Sequence, residues 1–479
     1  MILSRCFRAI APSVLLLFAL PMAALAWEDS WDLVPRVSVG QIYSDNIALA
    51  VPGDEESEFV TRLDVGAALL REGASARARI DYNLVGLAYW EDSDANDVFH
   101  QLDADGQVIL VPERFFLEAS ATYDQRLRSR GGRTGDIVNV GVDRTDVFRL
   151  QLTPVYVQRF EDWATGELRY THDRVYYEAS DARDTDSVRN RVQADLDSGP
   201  IFATFGWGLS FDRSETDFDD GSSVTFQIAE ALGRWNVTER FSVFGAVGDE
   251  RNAFDQDPSR ARPDDTFWRV GATFSPTART FTEGFVGNRF FGTTYGATVR
   301  RQLRDGRIFA DYSEDLRTVS ELDLVPFRDE FGLPVFDPET GRPIFELPDV
   351  LSGVYLRKRF SAGIATQLWK TRLGLRVFDE RREFEVTDRR ERVQGIAGDV
   401  SWRVLPRTSA FGNLRYEEST FADERDREDT LLTAGIGVSR DLGQRTSASL
   451  EYLYRERDST DPSREYQENR VTATFTKAF

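Results

Sequence analysis

Only two histidines, His100 and His172, occur in the 479 residues. Each lies in a stretch of alternating apolar and polar residues with charged neighbours. A hydrolase would need one of them within hydrogen-bond reach of a nucleophile. No serine or aspartate partner can be picked by spacing, so both read as ordinary strand residues. The single cysteine, Cys6, and the lack of a Cys/His cluster leave no transition-metal site in the pattern. The run DFDDGSS, Asp217 to Ser223, spaces oxygen ligands as a weak divalent-cation loop would. It lacks the closing Glu of a calcium loop and reads better as a solvated connection. There is no glycine loop for phosphate. No catalytic, cofactor or metal residue is assigned, and no enzyme is expected.

The formal charge of −21 argues against nucleic acid as a partner. Aromatics make up 12% of the chain and charged residues 29%, with a mean hydropathy of −0.41. That mixture suits a membrane barrel, in which only every second residue of a strand meets lipid.

The elements that would position any site are strands, and the last shows why. Counting back from Phe479 by twos gives Lys477, Phe475, Ala473 and Val471, while Ala478, Thr476, Thr474, Thr472 and Arg470 form the other face. This period of two marks a strand dry on one side and wet on the other. Its ending on an aromatic resembles the terminal strand read by the outer-membrane barrel-assembly machinery. Val471, Ala473, Phe475 and Phe479 are therefore the candidate assembly signal; Lys477 departs from the apolar pattern but can snorkel at a rim.

At the other end Arg5 and Arg8 precede an apolar run from Ile10 to Leu20, then Ala24-Leu25-Ala26. This reads as a signal peptide over 1–26, too short to span a membrane, with cleavage after Ala26. Cys6 would leave with it, so no disulfide is expected. No later stretch is apolar enough for a membrane helix. The barrel domain is expected over 27–479.

Between these ends, strand-like segments recur. The first is expected from about Pro35 to Leu49 and the second from Phe59 to Leu70. Ile80, Tyr82, Leu84, Gly86, Ala88 and Trp90 share a face. So do Ala203, Phe205, Trp207, Leu209 and Phe211, and Trp268, Val270, Ala272 and Phe274. Short turns near Pro112, Ser198, Thr238, Pro276 and Arg304 alternate with longer acidic links. Short turns on one side and long loops on the other are the mark of an outer-membrane barrel, with the short side periplasmic. The expected fold is all-β: a transmembrane antiparallel up-and-down barrel of about 22 strands, within 20–24. A soluble sandwich would show shorter strands and a turn every ~8–12 residues. A 22-stranded transporter with a plugged lumen would need a plug domain, and the first strand begins too soon after Ala26 to leave room for one.

In such a barrel the polar phase faces the lumen. Candidate lumen charges are Glu118, Asp124, Asp399 and Glu451, with Arg269, Arg372, Arg376, Arg403 and Arg470. These charges either tune the selectivity of an open pore or pair across the lumen and close it. The connector at 320–352 stands apart, with prolines at 326, 334, 338, 343 and 348 that cannot donate to a ladder. Phe327, Phe331, Phe336 and Phe345 make it a candidate constriction loop, folded inward or lying over the mouth.

The first mature strand, VSVGQIYSDNIALA, and the block YWEDSDANDVFHQLDADGQVILVPERFFLEASATYDQRL resemble the PEP-CTERM system-associated outer-membrane protein family. The resemblance is specific in the first hundred residues and architectural after them. It implies an outer-membrane location and the company of exopolysaccharide and exosortase genes, with no established biochemical activity. Expected partners are outer-membrane lipid and lipopolysaccharide, the barrel-assembly machinery and exopolysaccharide export components. The leading functional expectation is a passive, porin-like channel. A non-conducting structural or adhesive barrel is the alternative, and a barrel-embedded hydrolase comes third.

Overall fold

The computed structural model describes residues 31–127, 133–178, 186–255, 263–318, 354–385, 389–421 and 427–479. Twenty-two antiparallel strands follow one another, each paired with its neighbours in the chain. The first, β1 (Trp31–Ser44), also pairs with the last, β22 (Tyr466–Ala478), which closes the sheet into a barrel. Closure leaves no free edge. The expected up-and-down topology and strand number are both those of the structure.

Connections at the end holding the first and last strand termini are short. Residues 73–75 join β2 (Glu58–Glu72) to β3 (Ala76–Tyr89), and 112–114 join β4 (Asp97–Val111) to β5 (Phe115–Leu127). Glu113, Glu161, Trp369 and Arg445 adopt φ of 63°, 50°, 56° and 59° in such turns. One left-handed residue turns the chain tightly, and the neighbouring bulges at Ile109/Val111 and Asp441/Gly443 absorb the extra residue.

The opposite end carries the longer loops, with two differences from the sequence reading. The DFDDGSS run is a tight turn between β9 (Phe205–Phe218) and β10 (Ser223–Thr238). Asp220 accepts from Ser222 N at 2.8 Å and Ser222 Oγ at 2.6 Å, and Gly221 supplies a φ of 87°. The carboxylate is thus engaged in shaping the turn, and these bonds hold its pKa below the usual range. The first strand also stops at Ser44 rather than Leu49. Asn46 ends it by closing a turn with its side chain, Nδ2 donating to Ala50 O and Oδ1 accepting from Ala50 N. Ile47 and Leu49, which continue the period of two on paper, are buried instead.

The two faces separate as the alternation requires. Leu33, Val39 and Tyr43 of β1, Leu63 and Val65 of β2, and Val471 and Phe475 of β22 are exposed on one face. Their neighbours Arg36, Arg62, Asp64, Glu468 and Arg470 take the other face and pair with one another or with residues further round the barrel. The apolar face is the outer one, because the ion pairs reach across strands and loops on the concave side. The inner face also holds aromatics. Phe285 and Phe411 lie over Gly296 and Gly437, where any Cβ would run into the ring. A glycine covered by a cross-strand aromatic fills the space of a missing side chain and fixes the register.

Candidate functional site

Lengthwise alternation puts a guanidinium or carboxylate at many inner positions, and the barrel brings them within reach. Arg62 donates to Asp64 at 2.9 Å within β2, while Arg36 reaches over β2 to Asp81 of β3 at 2.9 Å. Arg149 of β6 (Arg144–Phe160) and Arg189 of β8 (Ser187–Ser198) both bond Asp173 of β7 (Ala164–Tyr177). Arg427 and Arg457 share Asp429. Forked, charge-assisted bonds of this kind hold side chains in fixed directions. Their net stabilisation is small, because burying two ions costs about what their attraction returns.

The nine candidate lumen charges all occupy inner positions. Glu118 accepts from Arg169 at 2.7 Å, and Asp124 from Arg126 at 2.7 Å. Arg269 of β12 (Asp264–Thr277) donates to Glu230 at 2.5 Å and lies over the ring of Phe285 at 5.4 Å. Arg376 sits over Phe378 at 5.5 Å. Arg372 of β17 (Thr371–Phe384) and Asp399 and Arg403 of β18 (Arg390–Leu405) are exposed to the lumen toward the short-turn end. Glu451 of β21 (Thr446–Ser459) is buried in the wall, and Arg470 is buried completely. Val471, Ala473, Phe475 and Phe479 are on or continue the outer face of β22 and are exposed. Phe327, Phe331, Phe336 and Phe345 lie outside the described residues.

Arg470 leads to the most organised part of the lumen, which the sequence reading missed. Its Nη1 donates to Asp136 at 2.7 Å and its Nη2 to Asn139 Oδ1 at 3.0 Å. Asp136 and Asn139 belong to the connection after β5, of which 133–143 is described. Arg455 of β21 bonds the same Asn139 oxygen at 3.0 Å and Glu468 at 3.1 Å. Glu468 also accepts from Ser44 Oγ at 2.8 Å and Asn139 Nδ2 at 3.0 Å. One polar knot therefore ties the first strand, the last two strands and the loop between β5 and β6. Burial pushes the Asp136 carboxyl up, but Arg470 and Arg455 more than reverse this and hold it well below the ordinary range.

Beside the knot is an apolar cluster. Ile137 and Val138 of the loop pack with Ile47 from the turn after β1 and with inner residues Ile42, Val60, Val85, Leu87 and Tyr89. The two loops are joined by Val140 N donating to Ile47 O at 3.0 Å, and Tyr89 Oη donates to Val138 O at 2.7 Å. The result is a wedge seated against the inner wall at the long-loop mouth. A signal for it was present: Ile137, Val138, Val140 and Val142 are too apolar for a solvated loop. So were Val85 and Leu87, apolar residues at inner positions of β3.

A second inner feature is a recess of about 720 Å3 along β3–β8. Its lining mixes Gln107, Ser120, Gln151, Thr153, Thr171 and Gln193 with arginines and carboxylates. Both histidines lie on the outer face instead, His100 with Tyr82 Oη at 2.6 Å and His172 with Asn190 at 2.9 Å. Among the described residues, no group of three or more His, Cys, Asp or Glu is placed to hold a metal ion.

No protein-family model and no curated protein matches the chain. Solved structures do resemble it. The ferric enterobactin receptor PfeA of Pseudomonas aeruginosa is 8% identical, with a TM-score of 0.52 over 94% of this chain and 80% of that one. The siderophore receptor PirA of Acinetobacter baumannii is 10% identical, with a TM-score of 0.51 over 93% and 80%. The FrpB iron transporter of Neisseria meningitidis is 8% identical, with a TM-score of 0.54 over 96% and 83%. At such identities the likeness is one of fold, and the fold is that of an outer-membrane β-barrel.

Proposed function

We propose that the protein is a passive outer-membrane channel for a polar solute, narrowed at its extracellular mouth by the wedge of residues 133–143. The observation that carries this reading is the inner wall. A 22-stranded barrel is too wide for side chains alone to fill, and its inner positions here are ionic, amide and hydroxyl groups around an open recess. The long-loop end is extracellular by the usual asymmetry of such barrels. Recording single channels in planar bilayers is the test: stable open steps are expected, and silent insertion of folded barrels would overturn the reading.

The resemblance to the PEP-CTERM-associated family supports exopolysaccharide as the solute, and amides and hydroxyls in the recess are suited to a polyhydroxylated chain. The second reading is a non-conducting surface barrel. It is favoured by the pairing of Glu118, Asp124 and Arg269 with ions of opposite sign on the same wall. The named neighbours bind or carry iron compounds, and a receptor that opens only for its ligand would likewise be silent in the bilayer until that ligand is added.

The outward Val471, Phe475 and Phe479 support recognition of β22 by the assembly machinery. Phe479→Ala is then expected to lower the yield of heat-modifiable barrel in the outer membrane. An unchanged yield would remove that role.

A further inference from the structure

The wall is not equally zipped all the way round. Strand β14 (Gly292–Gln302) has 11 residues, but only the six from Ala297 to Gln302 pair with β15 (Gly306–Thr318). On its other side β14 pairs with β13 (Thr280–Arg289) from Gly292 to Arg301. Strand β15 pairs with β16 (Val354–Leu368) from Gly306 to Thr318. The ladders are whole on both sides, and between them the two strands part above Ala297 and Tyr312.

Side chains bridge this gap in place of backbone rungs. Tyr295 N donates to Glu314 Oε2 at 3.4 Å, and Arg289 Nη1 donates to Glu314 O at 3.5 Å. Both are at the outer limit of a hydrogen bond. Arg289 is anchored behind the gap by Glu250, at 2.9 and 2.6 Å.

Height matters here. Tyr295, Val286 and Val270 are 51%, 38% and 49% exposed on the outer face and stand side by side across three strands. The lower part of the gap therefore borders the apolar belt. Backbone groups without rungs at that depth are tolerated only where they line water or protein. Behind the gap is a recess of about 230 Å3. It is lined by Phe226 and Ile228 of β10, by Leu316 of β15, and by Glu250, Arg289 and Arg317 with further ions of both signs.

We propose that the gap between β14 and β15 is a lateral port between lumen and lipid, and that the recess behind it binds a single-tailed amphiphile with a zwitterionic head. The tail lies against Phe226, Ile228 and Leu316 and leaves through the gap. The head meets fixed guanidinium and carboxylate groups, which suit a group carrying both charges. This route runs sideways through the wall, so it is independent of axial conduction.

The test uses the full-length barrel in phosphatidylcholine liposomes, with lysophosphatidylcholine carrying a diazirine in its tail. Labelling is expected on the segments holding Phe226, Ile228 and Leu316. The pair Tyr295→Cys with Glu314→Cys faces across the gap in the continued register, and its disulfide should lower that labelling severalfold, with recovery on reduction. Leu316→Glu needs no oxidation and should have the same effect. Labelling confined to outer residues such as Val286, or inner labelling that neither change reduces, would overturn the port. Conductance is recorded on the same samples: a silent barrel that still labels inside would sink the axial channel and keep the port.

Discussion

Two of the barrel's shorter ladders are finished in opposite ways. At the closing seam β1 pairs with β22 over the nine positions from Arg36 to Ser44. Above it the chain adds the wedge of residues 133–143, whose Asp136 and Asn139 bond the entirely buried Arg470 and Glu468 of β22. Between β14 and β15 only six positions pair, and what lies above them is two long hydrogen bonds to Glu314. A short ladder is thus not a weakness in itself. What differs is whether side chains from distant parts of the chain are brought in to take over. The seam is built to stay shut and the β14–β15 gap is not.

The largest effect that could break this comparison is at Arg470. Its removal takes one of the two cations, Arg470 and Arg455, that Glu468 and Asp136 share among the described residues, and truncating one partner of a buried pair costs roughly 3–5 kcal/mol. Arg470→Ala should therefore lower the midpoint of denaturant unfolding in lipid strongly. A loss no larger than that of an exposed arginine such as Arg372→Ala would mean that the knot does not hold the seam.

Next in size is a charge on the outer face. Ile436 of β20 (Arg427–Gly443) is 64% exposed there, and arginine at the bilayer midplane costs about 2–4 kcal/mol. Asn413, across the wall on the inner face of β19 (Thr408–Phe421), should take the same substitution with little loss. Equal losses from Ile436→Arg and Asn413→Arg would reverse the assignment of faces on which both regions rest.

Much of the fold was legible because parity is local. The outward Val471 and Phe475, the inward Arg470 and the turn near Pro112 all follow from counting by twos. Contacts that parity does not encode were not legible. Asp136 meets Arg470 across 334 positions of sequence, and nothing near either residue names the other. Ile47 and Leu49 kept the rhythm of β1, but the Asn46 side chain ended the strand. Likewise β14 and β15 alternate as regularly above Ala297 as below it. Register is set by how the barrel closes, and so the gap leaves no trace in composition.

The wedge also answers to pH. Asp136 has its folded pKa depressed, so its contribution is complete above the unfolded value near ~4 and fades as pH falls from there through the folded value. Conductance and unfolding midpoint should therefore agree at pH 7 and pH 5, and change only in stronger acid. Asp136→Asn should remove this acid step and lower stability at neutral pH by about 1.5–3 kcal/mol, the range for a hydrogen bond to a charged group. A wild-type transition centred between pH 5 and 7 would point to another group.

The smallest expected effect is the sharpest on the difference itself. Glu314 is the only residue whose side chain and carbonyl both bridge the β14–β15 gap in the described structure. Its bonds are long and face water or the membrane margin, so Glu314→Gln should cost about 1 kcal/mol or less. Global unfolding will barely register it. Amide exchange will, because it reads local opening. The Tyr295 amide, held by a carboxylate instead of a backbone carbonyl, should exchange faster than amides of β1 within the β22 ladder. The Glu314→Gln change should quicken Tyr295 further and leave β1 untouched. Matched protection at the two places, before and after the substitution, would mean that β14 and β15 are zipped in the membrane and that the barrel has no soft side.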